Sequence, residues 1–141
     1  MENREKIPLI IACDFDDTIA KCNPDYSIGE LLPDAKEIIN KWHEQGIYII
    51  IWTCRTNETQ TDAEVFLKEQ GINYDKINDH SCYTYRDWPN PGRKVYADIY
   101  IDDKSVENVY EYLPSWLGID KMVQTTLESN KWTNTPKHER R

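Results

Sequence analysis

The chain has 141 residues, 39% of them hydrophobic and 30% charged, which excludes a disordered chain and suits one domain with a single core. The formal net charge of -8 argues against non-specific binding to nucleic acid or to an anionic membrane, because both need a basic surface. No apolar stretch approaches the roughly 20 residues of a membrane helix, and Met1–Lys6 is polar with no signal-peptide segment, so the expectation is a cytoplasmic protein. Cys13, Cys22, Cys54 and Cys82 lack a Cys-x-x-Cys spacing and read as reduced thiols.

Residues 7–13 form the first predicted strand. The run Ile10-Ile11-Ala12-Cys13 ends abruptly in Asp14-Phe15-Asp16-Asp17-Thr18. A buried strand cannot keep carboxylates in its core, so the acids stand at its carboxyl end, where open α/β sheets bind ligands. If extended geometry continues to Asp16, Asp14 and Asp16 leave the same face. Two carboxylates that close repel unless a cation sits between them or one takes a proton. The bland alternative is a solvated acidic turn with Thr18 as a helix cap.

Residues 20–33 read as a loop holding Pro24, Gly29 and Pro33. A helix follows from Asp34 as N-cap, with Ala35, Ile38, Ile39 and Trp42 on one stripe and Gly46 closing it. The run Ile47–Trp52 is a second buried strand, ending in Thr53-Cys54-Arg55-Thr56. Asn57 can cap a second helix carrying Ala63, Phe66, Leu67 and Gln70, closed by Gly71. A short third strand lies around Ile77, within residues 72–79. Residues 80–93 are irregular and aromatic, with Tyr83, Tyr85 and Trp88. Residues 97–101 are a fourth strand ending in Asp102-Asp103, and Ser105 can cap a helix carrying Val106, Val109 and Tyr110. Residues 113–128 add one more helix, and 129–141 form a polar tail. Strands alternating with helices predict an α/β fold: a three-layer, doubly wound, Rossmann-like parallel sheet in a single domain spanning 1–141, its core about 7–128.

Parallel strands end at one edge, so Asp14/Asp16, Thr53 and Asp102/Asp103 converge there, and Lys94 stands just before the fourth strand. Each feature alone is weak: a lone Thr is commonly a cap, a lone Lys a solvated side chain, and an Asp pair before Ser a helix N-terminus. Convergence from three strands outweighs the acidic-turn alternative. The chemistry such a cluster suits is phosphoryl transfer. Mg2+ prefers carboxylate oxygens and is commonly completed by substrate phosphate. A carboxylate can attack and form an aspartyl phosphate, a second acid can move the proton, and Lys and Thr can hold phosphoryl oxygens.

These residues resemble the haloacid dehalogenase-like (HAD) hydrolase superfamily. Its first motif is a strand followed by Asp-x-Asp-x-Thr, matched by Asp14-Phe15-Asp16-Asp17-Thr18. Its second is a strand ending in Thr or Ser, matched by Thr53. Its third and fourth, a Lys and a strand ending in an acidic pair, are matched by Lys94 through Asp103, fused as in small members. The resemblance covers about residues 7–112. It implies a magnesium-dependent phosphatase, a phosphoric monoester hydrolase working through an aspartyl phosphate. Asp14 is then nucleophile and metal ligand, and Asp16 is general acid/base with its backbone carbonyl on the metal. Thr53 and Lys94 are the phosphoryl-binding residues, Lys94 also steadying Asp14. Asp103 is the implied direct ligand and Asp102 an indirect one, with their order open. Asp16 favours a phosphatase over a dehalogenase, since carbon–halogen cleavage needs no general acid there.

Little sequence is left for a cap domain, so the resemblance is to capless members with an open site. Such a site admits a small phosphorylated substrate or a phosphorylated macromolecule, or borrows cover from a second subunit in a homo-oligomer. Tyr83, Tyr85 and Trp88 either stack on a substrate ring or pack the loop on the sheet edge. Arg55 either clamps a substrate anion or is an ordinary surface arginine. His43 and His80 have no metal-ligand partner at useful spacing. Asp17 is expected to point away from the metal. The competing classes are a phospho-receiver-like module, disfavoured by motif order, and a catalytically silent binding module of the same fold.

Overall fold

The computed structural model describes residues 7–83, 92–105 and 114–129. The apolar run expected to be buried forms β1 (Ile10–Cys13), with all four residues buried. The segment expected to be a loop instead folds as an antiparallel hairpin, β2 (Ala20–Cys22) and β3 (Ile28–Leu31). The hairpin forms because Asn23, Asp25 and Ser27 close its turn: Ser27 N and Oγ both donate to Asp25 Oδ1, at 3.0 and 2.6 Å. Next come α1 (Ala35–Glu44), β4 (Tyr48–Ile51), α2 (Asn57–Glu69), β5 (Lys76–Ile77), β6 (Ile99–Ile101) and α3 (Trp116–Glu128). Asp34 stands at the N-cap of α1 as expected, but in left-handed backbone and without a side-chain cap bond. Thr56 rather than Asn57 is the N-cap of α2, its amide donating to Thr59 Oγ1 at 3.0 Å.

The four-stranded sheet has the order β5-β4-β1-β6, and all its pairings are parallel. Ile11 pairs with Ile49 and Ile99, and Cys13 with Ile51 and Ile101. Strand alternation sends this set to one face. There it meets Ile39 and Trp42 of α1, Ala63 and Leu67 of α2, and Trp116 and Val123 of α3 in one buried cluster. Trp42 and Trp116 pack with centroids 5.5 Å apart and ring planes tilted by 46°, and Trp42 Nε1 donates to Asp120 Oδ1 at 2.9 Å. Ile10, Ala12 and Ile50 form the opposite face, which Val95 and Ala97 cover, with Tyr48, Trp52, Tyr83 and Tyr96 packed around them. The three helices among the described residues therefore lie on one face of the sheet, so the parallel sheet is consistent with a Rossmann-like α/β fold, whereas the expected three-layer, doubly wound arrangement with helices on both faces is not seen among the described residues. The helix expected from Ser105, at 106–113, lies outside the described residues, as do Tyr85, Trp88 and the tail from 130. Among the described residues no helix is long and apolar enough to cross a membrane.

Two carboxylates pin the sheet at its amino end. Asp75, just before β5, accepts from Ile49 N at 2.8 Å. Asp98, just before β6, accepts from Ile10 N at 2.8 Å and its own amide donates to Ile10 O at 2.7 Å. Each Asp thus serves the central strand beside it, satisfying an amide that the sheet would leave buried and unpaired.

Candidate active site

The carboxyl edge keeps strand register beyond the strands themselves. Asp14 N donates to Ile101 O at 2.9 Å, and Trp52 N to Cys13 O at 2.8 Å. After Asp14 the chain turns tightly around Phe15, whose carbonyl accepts from Ile19 N at 2.9 Å. Phe15 is fully buried, edge-on to Phe66 with centroids 5.8 Å apart. The acidic run is therefore anchored from below, and its three acids are sent to three different places.

Asp14, Asp102 and Asp103 each offer a carboxylate oxygen, all within 4.8 Å of one another. Thr18 holds the group together and does not cap a helix. Its side chain is fully buried. Oγ1 donates to Asp14 Oδ2 at 3.2 Å, with Asp103 Oδ1 at 3.4 Å, and accepts from Asp103 N at 3.1 Å. The carbonyl of Thr18 accepts from Trp116 Nε1 at 2.8 Å, tying the turn to α3.

The electrostatics follow from this crowding. Burial, the hydrogen bond to Asp103 and the charge of Asp102 push the Asp14 carboxyl up to about 8. Burial also raises Asp102. At Asp103 burial works the same way, but the Lys104 ammonium 2.9 Å away and the hydrogen bonds from Asp14 and Asp102 outweigh it and hold the carboxyl low. Three oxygen-bearing acids of this kind match the donor set of a hard divalent cation such as Mg2+, whose charge would relieve the mutual repulsion.

Asp16 lies outside this trio. Its two oxygens are taken by Arg55: Nε is 3.1 and 2.9 Å from Oδ1 and Oδ2, and Nη2 is 2.7 Å from Oδ1. Arg55 is only 1% exposed, so its guanidinium faces protein rather than open solvent. Asp17, with φ of 57°, turns to the hairpin and accepts from Cys22 N at 2.9 Å.

Thr53 follows β4 at the same edge. Its amide donates to Asn78 Oδ1 at 2.8 Å and its hydroxyl accepts from Arg55 N at 3.2 Å; among the described residues the hydroxyl donates to no acceptor. Asn78, in left-handed backbone just after β5, also donates from Nδ2 to Arg55 O at 3.2 Å and so shapes the whole 53–55 loop. Lys94 is exposed, with Nζ 4.8 Å from the Tyr100 ring centroid. Among the described residues it makes no ion pair with Asp14. Tyr83 packs edge-on against Tyr48 with centroids 5.8 Å apart, on the sheet face rather than over the acids. His43 Nε2 stands 3.5 Å from Asp75 Oδ1, far from the trio in the fold because Asp75 marks the amino end of the sheet.

Thr18, Asn78 and Lys104 are the site residues that sequence reasoning missed. Thr18 had a signal, as the last residue of the Asp-x-Asp-x-Thr run. Asn78 had only its place one residue after the short β5.

No family model matches the chain, and no curated protein matches it significantly. Solved structures do. A conserved protein from Bacteroides thetaiotaomicron, identified by its locus, is 27% identical with a TM-score of 0.71, over 84% of this chain and 92% of that one. A chain of a Pnkp1/Rnl/Hen1 complex is 19% identical with a TM-score of 0.51, over 81% of this chain and 47% of that one. What these likenesses share with the chain is its fold, a Rossmann-like α/β core spanning about four-fifths of the residues.

Proposed function

We propose that the chain is a magnesium-dependent phosphohydrolase of the haloacid dehalogenase-like kind, acting on a phosphate monoester. The observation that carries this reading is the meeting of Asp14, Asp102 and Asp103 within 4.8 Å at the carboxyl edge, beside Thr53 from the neighbouring strand. Asp14, Asp102 and Asp103 would hold the metal, with the Asp16 carbonyl as a further oxygen. Bound there, Mg2+ would offset the negative charge gathered by the carboxylates and the phosphoryl oxygens.

The residues then divide the work. Asp14 is the nucleophile: its carboxylate oxygen bonds to phosphorus as the bond to the leaving oxygen breaks. Asp16, carrying a proton taken up from solvent on an oxygen lone pair that the Arg55 fork leaves open, would give it to that oxygen, so the leaving group departs as a neutral alcohol. Asp16 then takes a proton from water, whose oxygen attacks the aspartyl phosphate, freeing inorganic phosphate and restoring Asp14. The Thr53 hydroxyl would donate to a phosphoryl oxygen. Lys94 takes that role only by leaving the Tyr100 ring, a movement its exposed side chain permits. The hairpin β2–β3 lies beside the acidic turn, joined to it through Asp17 and Arg55.

Hydrolysis of p-nitrophenyl phosphate with magnesium, compared between wild type and Asp14→Asn, tests the reading. Asp14→Asn should lose at least about a thousandfold in kcat, because a carboxamide does not form the acyl phosphate. Wild-type rates in Asp14→Asn would remove the nucleophile. A wild type inactive on a broad panel of phosphate esters would remove the function.

A further inference from the structure

We propose that Arg55 is a positioning residue: it holds the Asp16 carboxyl for proton transfer and couples it to the β2–β3 hairpin. The inference rests on the phosphohydrolase reading and deepens it. Three segments distant in sequence meet on this one guanidinium. From the acidic turn, Asp16 contributes both carboxylate oxygens. From the hairpin turn, Tyr26 O accepts from Nη2 at 2.9 Å, and the Tyr26 ring lies 4.3 Å from Cζ. From the first turn of α2, Thr59 O accepts from Nη1 at 3.3 Å.

A guanidinium has five N–H groups, and Asp16, Tyr26 and Thr59 take four of them. That leaves too few donors for a two-point grip on a substrate phosphate. The guanidinium also lies over the Phe15 ring, with Cζ 5.6 Å from its centroid. A buried arginine with four of its five N–H groups committed to neighbours acts by fixing them. A fork against a carboxylate sets both its direction and its plane, which a single lysine contact does not. Asp16 has special need of this. It follows fully buried Phe15 and precedes Asp17 in left-handed backbone, so it sits at the crest of a tight turn. A proton donor that swings through several rotamers is rarely in line with the leaving oxygen, and small misplacements cost large factors in rate.

Leaving-group dependence separates this role from a merely structural one. Phenolate needs a proton from the enzyme far more than p-nitrophenolate does, so loss of the acid penalises phenyl phosphate more. The experiment measures kcat/KM for both esters in wild type, Asp16→Asn, Arg55→Lys, Arg55→Ala and the Asp16→Asn/Arg55→Lys double variant. Arg55→Lys keeps a cation and the aliphatic stem, so it tests the fork even if Arg55→Ala fails to fold. Asp16→Asn should raise the preference for p-nitrophenyl phosphate about tenfold or more, and Arg55→Lys should raise it in the same direction. In the double variant Arg55→Lys should add little, because its effect passes through Asp16. Tyr26→Ala should show the same preference more weakly.

Three results would overturn the inference while leaving the phosphohydrolase reading in place. One is an Arg55→Lys variant that slows both esters equally while Asp16→Asn discriminates. Another is a rise in KM for both esters with kcat intact, the mark of a direct substrate clamp. The third is full additivity in the double variant. If Asp16→Asn itself does not discriminate between the esters, the acid/base reading of Asp16 falls, and the role given to Arg55 falls with it.

Discussion

Replacing Thr18 by Val removes one hydroxyl from a site that otherwise keeps its shape. The side chain is fully buried, and the hydroxyl serves both Asp14 and the amide of Asp103. Without it the Asp103 N–H, on a residue only 7% exposed, loses its acceptor, and Asp14 loses a donor. An orphaned buried donor costs about 1–3 kcal/mol and a lost hydrogen bond about 1 kcal/mol more, for a total of about 2–4 kcal/mol. In a domain of this size each kcal/mol moves the melting temperature by about 2–4 °C, so Thr18→Val should melt roughly 4–16 °C below wild type. Thr18→Ser is the control: it keeps the hydroxyl and loses one buried methyl, worth about 1 kcal/mol. Thermal unfolding followed by circular dichroism, at one pH and with metal chelated, ranks the three proteins. A Thr18→Val protein as stable as wild type, or no less stable than Thr18→Ser, would refute the view that this hydroxyl joins the two halves of the acidic cluster.

A pH prediction follows from Asp14, whose carboxyl is raised from 3.8 to about 8. The folded protein holds this proton more tightly than the unfolded chain. Its contribution to stability is therefore full below about pH 4 and is lost as pH rises to about 8. In the metal-free protein Asp14→Asn should flatten this decline, and added magnesium, which competes with the proton, should raise the melting temperature more at pH 8 than at pH 5; equal metal effects at both pH values would contradict this. Asp98→Ala leaves the fully buried Ile10 amide without its side-chain acceptor, so urea denaturation should show a loss of about 1–3 kcal/mol. An unchanged midpoint would mean that the amide finds another partner.

The central strands were legible because burial writes itself as uninterrupted apolar sequence. Ile10–Cys13 and Tyr48–Ile51 read as strands, and the same logic put the acids and Thr53 at their ends. The stripe Ala35, Ile38, Ile39 and Trp42 likewise gave α1 its buried face. The hairpin was not legible, since its strands have three and four residues and are only partly buried. Contacts across long separations were the other blind spot. Thr18 and Asp103 are 85 residues apart, and Arg55 and Asp16 are 39 apart. Its place just past Thr53 can flag Arg55 as near the site, but only the fold says that its guanidinium turns inward to Asp16.

The aspartates that pin the sheet lie at the edge away from the acidic cluster, yet they set its geometry. A strand that slid by one residue would carry its terminal acid about 3.3 Å along the sheet and turn it to the opposite face. Asp98 indexes β1 and Asp75 indexes β4, the strands that deliver Asp14 and Thr53. The alignment of Asp14 with Thr53, the proposed nucleophile and phosphoryl-binding hydroxyl, is thus calibrated from the far end of each strand, as the zero mark of a ruler sets every reading along it. Substitutions at these two aspartates would therefore disturb the proposed catalysis from outside the acidic cluster.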